Sequence, residues 1–520
     1  VTELLWGAVL RMVQAVLQAA PFIFTGLCIA GMLGRLMGPA DTRRLFGSNS
    51  FASLLQSWVI GMLLPGCSLG VIPVCRQLRA SGIAIGTIFA FALSSPLFDP
   101  LSLLYGLTLS KPFTILAFAA CSLIVVTVSG AILDRLYPDT ELHVAERPMP
   151  PYGIKRMLAI LVDMAREIVG GTAALIGVGI VGVGLLALVL PAGSLQTTMA
   201  HDNRWSPLLM TAIAIPAYAT PMTAMSQLGS MFQHGNSIGA AFVLLAFGAG
   251  MNLGLVAWMW LNYGWRKLAV WLGLMLAVVV GLSYGIERPL YPVDIEPAGH
   301  THAFDAYCAP FPAGHAPAHG FPAEIVRRVR LETQPHEWFG VGVLAALVAT
   351  GLLLRWCDPT GRLDVWLTTR GARASGSANG RFDIVIPGPV LALMGLAAIV
   401  AFSVIGCYAY YPEPRESLEE LSIATTEATV AALSGDRGHA EHWIPICESW
   451  SKRLVVGTYL RRFRVSDYHL EKARLYQDRL EELEHLVEDG RQTDDIRRHA
   501  LAVSRAYSLL SRSFREEPLD

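Results

Sequence analysis

Charged residues are scarce. They make up 16% of this 520-residue chain, against about 25% in ordinary soluble domains. The mean hydropathy is +0.46. A water-soluble fold of this size rarely has so little charge. The shortage is uneven: residues 1–290 and 338–411 are charge-poor, whereas 412–520 are charge-rich. Net charge is missing too, at −1, so nothing in the balance points to nucleic acid as a partner. CxxC pairs are absent. Six of the eight cysteines (Cys28, Cys67, Cys75, Cys121, Cys357 and Cys407) lie in or beside apolar segments, which argues against a disulfide framework. No Walker nucleotide motif and no HExxH motif occurs, so neither ATP hydrolysis nor zinc protease chemistry is expected, and no cofactor is implied. The layout of a cleavable signal is also lacking. From Val1 the apolar run starts almost at once, at Leu4, Leu5 and Trp6, and continues far past a signal-peptide core; it is expected to be a retained first span.

What the chain has instead is long apolar runs. A helix needs about 20 apolar residues to cross the hydrocarbon core. Ten segments are candidates: 4–34, 51–79, 83–109, 112–136, 157–190, 206–232, 236–262, 266–288, 338–356 and 386–411. Unpaired backbone amides are too costly in lipid for these to be anything but helices. Trp6, Tyr137, Trp205, Tyr263, Trp265, Trp338, Tyr410 and Tyr411 stand near segment ends, as interfacial belts require. The expected fold is all-α: a polytopic membrane protein of about ten membrane helices followed by a soluble helical domain.

The first eight segments read as a duplication, with repeat 1 over 1–136 and repeat 2 over 157–288. Pro65 matches Pro216 at an offset of 151. Gly82 matches Gly235, Gly86 matches Gly239 and Asp99 matches Asn252, each at 153. Internal repeats with helices interrupted at matching places point to a transporter site. Residues 291–337 form a Pro- and His-rich loop. Residues 338–411 supply two further membrane helices joined by a basic loop, 357–384, with Arg362, Arg370, Arg373 and Arg381. That loop reads as cytoplasmic, although Arg147, Lys155 and Arg156 in another loop pull the other way, and orientation stays open. In 412–520, Ser417 with Glu420 reads as a capping box, Ser466 as the cap of a helix ending near Gly490, and Thr493 as the start of a last helix. A small antiparallel bundle is expected there, available to a protein partner.

Two stretches could carry chemistry. In Leu64-Pro65-Gly66-Cys67-Ser68-Leu69-Gly70-Val71-Ile72-Pro73, the prolines lack amide donors and the glycines relax the backbone, so the helix should unwind at membrane depth. Cys67 and Ser68 would lie at the break. The Cys67 thiol there is either a soft ligand for a metal or metalloid or a small packed hydrophobe. In Ser94-Ser95-Pro96-Leu97-Phe98-Asp99-Pro100, a carboxyl sits between two helix breaks; it either faces a solute pathway or caps the next helix. The counterparts in the second repeat are Pro216 to Pro221, with Tyr218, and Gly248 to Asn252, as polar cavity groups or packing residues.

These residues also carry a resemblance. Pro65 to Pro73, then Gly82, Gly86 and Ser95 to Pro100, resemble the predicted-permease family that includes organoarsenical efflux permeases, over about residues 1–290. That family typically shows Pro-x-Cys-Ser-Cys-Gly-Val-x-Pro followed by Pro-x-x-Asn-Pro. Here Leu69 replaces the second cysteine, so no paired-thiol site is available, and Asp99 replaces the asparagine. The resemblance implies an inner-membrane permease with a duplicated helical body in a bacterial cell.

Weaker signals remain. Gly177-x-Gly179-x-x-Gly182 has dinucleotide-fingerprint spacing but lies in a continuous apolar helix, where small residues serve close packing. Asp163, Arg166 and Glu167 share a helical face and should form an ion cluster. Met222, Met225, Met231 and Met251 are soft thioethers or core filler. His300, His302, His315, His319 and His336, with Cys308, lack recognised zinc spacing; of these His300 and His302, with Cys67, are the metal candidates. The leading expectation is a secondary permease that exports a small solute, with the lipid bilayer and that solute as its partners. A scaffold or sensor acting through the tail, and a membrane-embedded enzyme, are the alternatives.

Overall fold

A computed structural model describes residues 2–47, 50–109, 112–138, 154–191, 194–195, 198–291, 302–311, 317, 320–369, 386–488 and 493–515. Among them the only extended pairing is a single bridge between Ala200 and Asn236; the rest is helix and connection. The chain divides into two compact units, residues 1–103 with 113–402, and residues 104–112 with 403–520.

The first unit opens with α1 (Thr2–Met32), which runs through a wide turn into α2 (Gly38–Phe46). Then come α3 (Phe51–Leu63), α4 (Val71–Ala80), α5 (Ile85–Leu97), α6 (Pro100–Leu109) and α7 (Pro112–Leu136). A second series follows: α8 (Ile154–Ile168), α9 (Gly171–Val189), α10 (Ser206–Ala214), α11 (Pro221–Gln233), α12 (Ile238–Val243, prolonged by a wide turn to Ala249), α13 (Leu253–Tyr263) and α14 (Trp265–Leu290). The chain continues through α15 (Phe321–Glu332), α16 (Pro335–Cys357), α17 (Arg362–Thr368) and α18 (Gly388–Tyr410). Among the described residues six stretches are long and apolar enough to cross a bilayer: α1 with α2, α7, α9, α14, α16 and α18. Two bent pairs, α5 with α6 at 53° and α12 with α13 at 60°, bring the number to eight if each is one span.

In the first unit three expectations differ from what the chain does. Segment 157–190, read as one span, is two helices, because Gly170 and Gly171 interrupt it and the first half is amphipathic, with Asp163, Arg166 and Glu167 on it. The loop read over 291–337 contains α15. Gly320, at a positive φ of 79°, starts it, and Pro322 suits its first turn. Glu324 pairs there with Arg327 at 2.6 Å and Arg328 at 3.0 Å. One face of α15 is apolar, so it docks on α1: Phe321 stacks on Trp6, and Ile325 joins Leu10 and Phe311. The basic loop 357–384 contains α17, capped by Asp358, whose carboxylate accepts from the amides of Arg362 and Leu363 at 2.7 and 2.9 Å.

Glycines set how closely the first unit packs. Gly26 on α1 lies so near the Gly70 carbonyl that no Cβ fits, and Gly70 also lacks room for one beside the carbonyl of Phe22. Backbone therefore meets backbone, the close approach that small residues permit between membrane helices.

In the second unit, α19 (Pro414–Ser434), α20 (Arg437–Arg462), α21 (Asp467–Glu488) and α22 (Thr493–Arg515) pack around Leu421, Leu454, Tyr476, Leu483, Val503 and Leu510. Ser466 caps α21 through the His469 amide at 3.4 Å. The capping box read at Ser417 is not formed. Pro414, with its fixed φ, starts α19 three residues earlier, and Ser417 is buried inside the helix with its hydroxyl unpartnered. Cys447 lies in this core beside Tyr476 and Thr425, and burial pushes its thiol up to about 11. Thiolate is the reactive form. At neutral pH Cys447 should therefore react at least ~100-fold more slowly with a maleimide than a free thiol near pKa 8.5. The exposed Cys357 of the same chain is the internal control. Comparable rates at the two cysteines, read by peptide mass spectrometry, would show that the bundle core is open.

Candidate functional site

The first break runs from Leu64 to Gly70, between α3 and α4. Pro65 ends the helical bonding, and the Leu64 carbonyl is recovered by the Ser95 hydroxyl of α5 at 3.2 Å. Gly66 faces that same hydroxyl so closely that a side chain would collide with it. Cys67 is fully buried, and its sulfur accepts from the Gly70 amide at 3.3 Å. Pro73 sits in the first turn of α4, where its missing amide costs nothing.

The second break runs from Ile215 to Thr220, between α10 and α11. Thr220 caps α11 by accepting from the Thr223 amide at 3.1 Å, with Pro221 in the first turn. The Ala219 amide donates to the Gly248 carbonyl at 3.2 Å. Each break thus rests on the end of a bent helix: Leu64 on Ser95, and Ala219 on Gly248.

At the two bends the polar residues act alike. Asp99 Oδ1 accepts from the Ser102 amide at 2.6 Å, and Asn252 Oδ1 accepts from the Leu255 amide at 2.9 Å. Both are N-caps. The capping role weighed for Asp99 is present, and Ser102 closes it by accepting from the Asp99 amide at 3.0 Å. Pro96 is buried inside α5, and Pro100 opens α6. The Leu97 side chain reaches Gly250, so the two bends face each other.

A further matched pair escaped the sequence reading. The Gly86 amide donates to Asp134 on α7 at 2.8 Å, and the Gly239 amide donates to Glu287 on α14 at 2.5 Å. Asp134 and Glu287 are 153 residues apart, as are Gly86 and Gly239. The preceding turns use Gly82 and Gly235 at positive φ of 75° and 66°. The same spacing, searched among acids as well as glycines, would have found them.

Helix α9 lies across both breaks. A Cβ on Gly179 would stand 2.6 Å from Leu69 and 3.1 Å from Asn252; one on Gly182 would meet Leu253 at 2.8 Å and the Pro216 carbonyl at 3.2 Å. The close-packing role expected of these glycines is what they perform. Around this junction the Tyr218 hydroxyl faces the Cys67 thiol without a hydrogen bond of ordinary geometry. Ser68 Oγ and Asn252 Nδ2 are also buried without a partner. Buried polar atoms are nearly always paired, so three unpaired ones at one junction call for explanation.

The other candidates resolve differently. Met225, Met231 and Met251 are fully buried core residues. Gly281-Leu282-Ser283-Tyr284-Gly285, which the sequence reading missed, has nucleophile-elbow spacing, but it lies inside α14, where Ser283 donates to the Val280 carbonyl at 2.7 Å. His300, His315 and His319, and the side chain of His302, lie outside the described residues. Among the described residues no group of three or more His, Cys, Asp or Glu is placed to hold a metal. Asp163, Arg166 and Glu167 each find a partner on another element: Arg35 at 2.6 Å, Asp358 at 2.8 Å and Arg76 at 2.8 Å. These charges line a cavity of about 550 Å³ between α1, α4, α8 and α17.

Residues 5–287 match the family described as "Predicted permease". The chain is 25% identical over 138 residues to the UPF0718 protein YcgR of Bacillus subtilis, covering 26% of this chain and 47% of that protein. It is 22% identical over 88 residues to a Streptococcus mutans protein provisionally named a two-component membrane permease complex subunit, covering 17% of this chain and 29% of that protein. The aligned parts thus span less than half of either relative. No solved structure matches. The family match covers more than half of the chain and accords with its six to eight long apolar spans; this is a multi-pass membrane protein of the predicted permease family.

Proposed function

We propose that this protein is a secondary permease of the bacterial inner membrane, exporting a small solute through the junction of its two helix breaks. The observation that carries the reading is a set of buried polar atoms without hydrogen-bond partners at this junction: Ser68 Oγ, Asn252 Nδ2 and Tyr218 Oη, the last facing the Cys67 thiol. Two come from the breaks and one from a bend, as a solute held between two halves requires. We read 1–136 and 157–288 as duplicated repeats. The matched caps and amide clamps at a spacing of 153 support this. The thiol suits a soft solute, a metal, a metalloid or an organoarsenical. A proton taken up by Asp99 would supply the coupling.

The Cys67 reading has a direct test. In proteoliposomes, a small water-soluble thiol reagent should modify Cys67, and a transported thiophilic solute should protect it at least tenfold. Cys67→Ala should lower flux of that solute by a similar factor. A thiol that stays unreactive, together with full flux in Cys67→Ala, would return Cys67 to packing. A second reading, a scaffold or sensor acting on a protein partner through 412–520, is favoured by the separate compactness of the unit that contains this segment. Flux that persists with 415–520 deleted supports the permease; flux absent from every solute tested, with the tail still binding a protein, supports the scaffold.

A further inference from the structure

The cavity of about 550 Å³ has two unlike walls. One is the face of α4 carrying Pro73, Arg76 and Gln77, on the helix that begins at the Cys67 break. The other is α17, which contributes Asp364, Val365 and Thr368. Residues 5–287 carry the family match, so α17 is an addition outside it.

How α17 is held sets it apart from the rest of the first unit. It is seven residues long, too short to hold its own helical form in water. Of these seven, Leu367 alone is buried, whereas Val365 and Trp366 are largely exposed. Its other attachments are polar, and the strongest lead to α8. Arg166 bridges Asp358 at 2.8 Å and also pairs with Asp364. The Lys155 ammonium donates to the Trp366 carbonyl at 3.0 Å and lies 4.4 Å from that ring. On the cavity side the contact is incomplete. Asp364 Oδ1 makes a long ion pair of 3.7 Å with Arg35, beyond hydrogen-bond reach, and is buried without a hydrogen-bond partner. The Arg35 guanidinium is already held by Asp163 through two bonds of 2.6 Å. Partly exposed ion pairs contribute little each and are screened by salt. A wall built from them and one leucine is the weakest boundary of the cavity.

We infer that α17 is a lid on the vestibule leading to the Cys67 break, latched by Arg166 between Asp358 and Asp364. With the latch closed, α17 walls the cavity that the α4 face lines. With it released, Arg76 and Gln77, which are already partly exposed, become more open to solution on that side of the membrane. The inference rests on the permease reading for its purpose, but its motion is testable without a solute.

The test uses full-length protein in proteoliposomes, in a Cys357→Ser background, with Ala80→Cys on the α4 wall as reporter. A membrane-impermeant maleimide is applied, and the labelled site is read by peptide mass spectrometry. The double variant Asp358→Asn/Asp364→Asn should label at position 80 at least tenfold faster than the protein with its latch intact. With the native latch, raising the salt from 20 mM to 500 mM should speed labelling in the same direction. The salt arm keeps the idea open to refutation if the double variant folds poorly. Equal rates across both comparisons would overturn the lid. A labelling response without flux of any solute would leave the lid standing and overturn the permease reading.

Discussion

Asp99→Asn should fold and bind solute like the unmodified protein, and lose pH-driven flux by at least tenfold. Asp99 Oδ1 takes the Ser102 amide, and an asparagine oxygen accepts the same bond. The chain itself supplies the control, because Asn252, 153 residues further on, caps α13 in this way. The substitution therefore removes the titratable proton and little else. Asp99→Ala removes the cap as well, at a cost of about 1 kcal/mol, and should lower both flux and thermal stability. Asp99 is 3% exposed, so it can exchange a proton only if the bend opens to water during the cycle. The measurement is solute uptake into proteoliposomes under an imposed pH gradient, beside equilibrium solute binding in detergent. Wild-type pH-driven flux in Asp99→Asn would remove Asp99 from coupling and leave it as a cap.

Gly26→Ala should damage the fold more than any other single methyl in the first unit. Its Cβ would run into the Gly70 carbonyl, and Gly70 itself is pressed against the Phe22 carbonyl. Neither obstacle is a side chain that can turn away. Both helices would have to separate, at about 3 kcal/mol or more, and the break at Pro65 to Gly70 would move with them. Gly177→Ala is the matched comparison. It lies in α9, another long apolar helix, with nothing within 4 Å of the added carbon, and alanine is the better helix former. In a thermal melt of purified protein, Gly26→Ala should lose cooperative unfolding or melt well below the parent, while Gly177→Ala stays near it. Similar melts for the two variants would mean that α1 and the break are not in backbone contact.

The class of fold and its interruptions were legible because they follow from composition and from proline. Sixteen per cent charge and long apolar runs leave helices as the affordable structure. Pro65, Pro216 and Pro221 announce the breaks in advance. Caps were legible where the residue type allows one role, as at Ser466, and misread where a stronger start signal stood close by, as at Pro414 ahead of Ser417. Elements held by partners distant in sequence were not legible. The charged face of Asp163, Arg166 and Glu167 was read from the sequence, but its partners Arg35, Arg76 and Asp358 were not, and neither was the separation of α8 from α9. The apolar face of α15 is meaningful only beside Trp6 and Leu10. Of the candidate site, the Cys67 break, Tyr218 and Asn252 meet at one junction, with α9 glycines between them. The carboxylates that clamp Gly86 and Gly239 were overlooked because acids at the ends of apolar segments look like ordinary solvated termini.

Those clamps also bear on how the protein is made. The Gly86 amide waits for a carboxylate 48 residues further along, and so does the Gly239 amide. Each bond closes within 48 residues of chain. A chain emerging from the ribosome can therefore close the first clamp once α7 has emerged, before any of α9 to α14 has been synthesised. The second clamp has to wait for α14. The Cys67–Tyr218 junction needs residues from both breaks and so cannot form before the second one is made. Truncation after α7 should thus leave a fragment in which Asp134 can already hold Gly86.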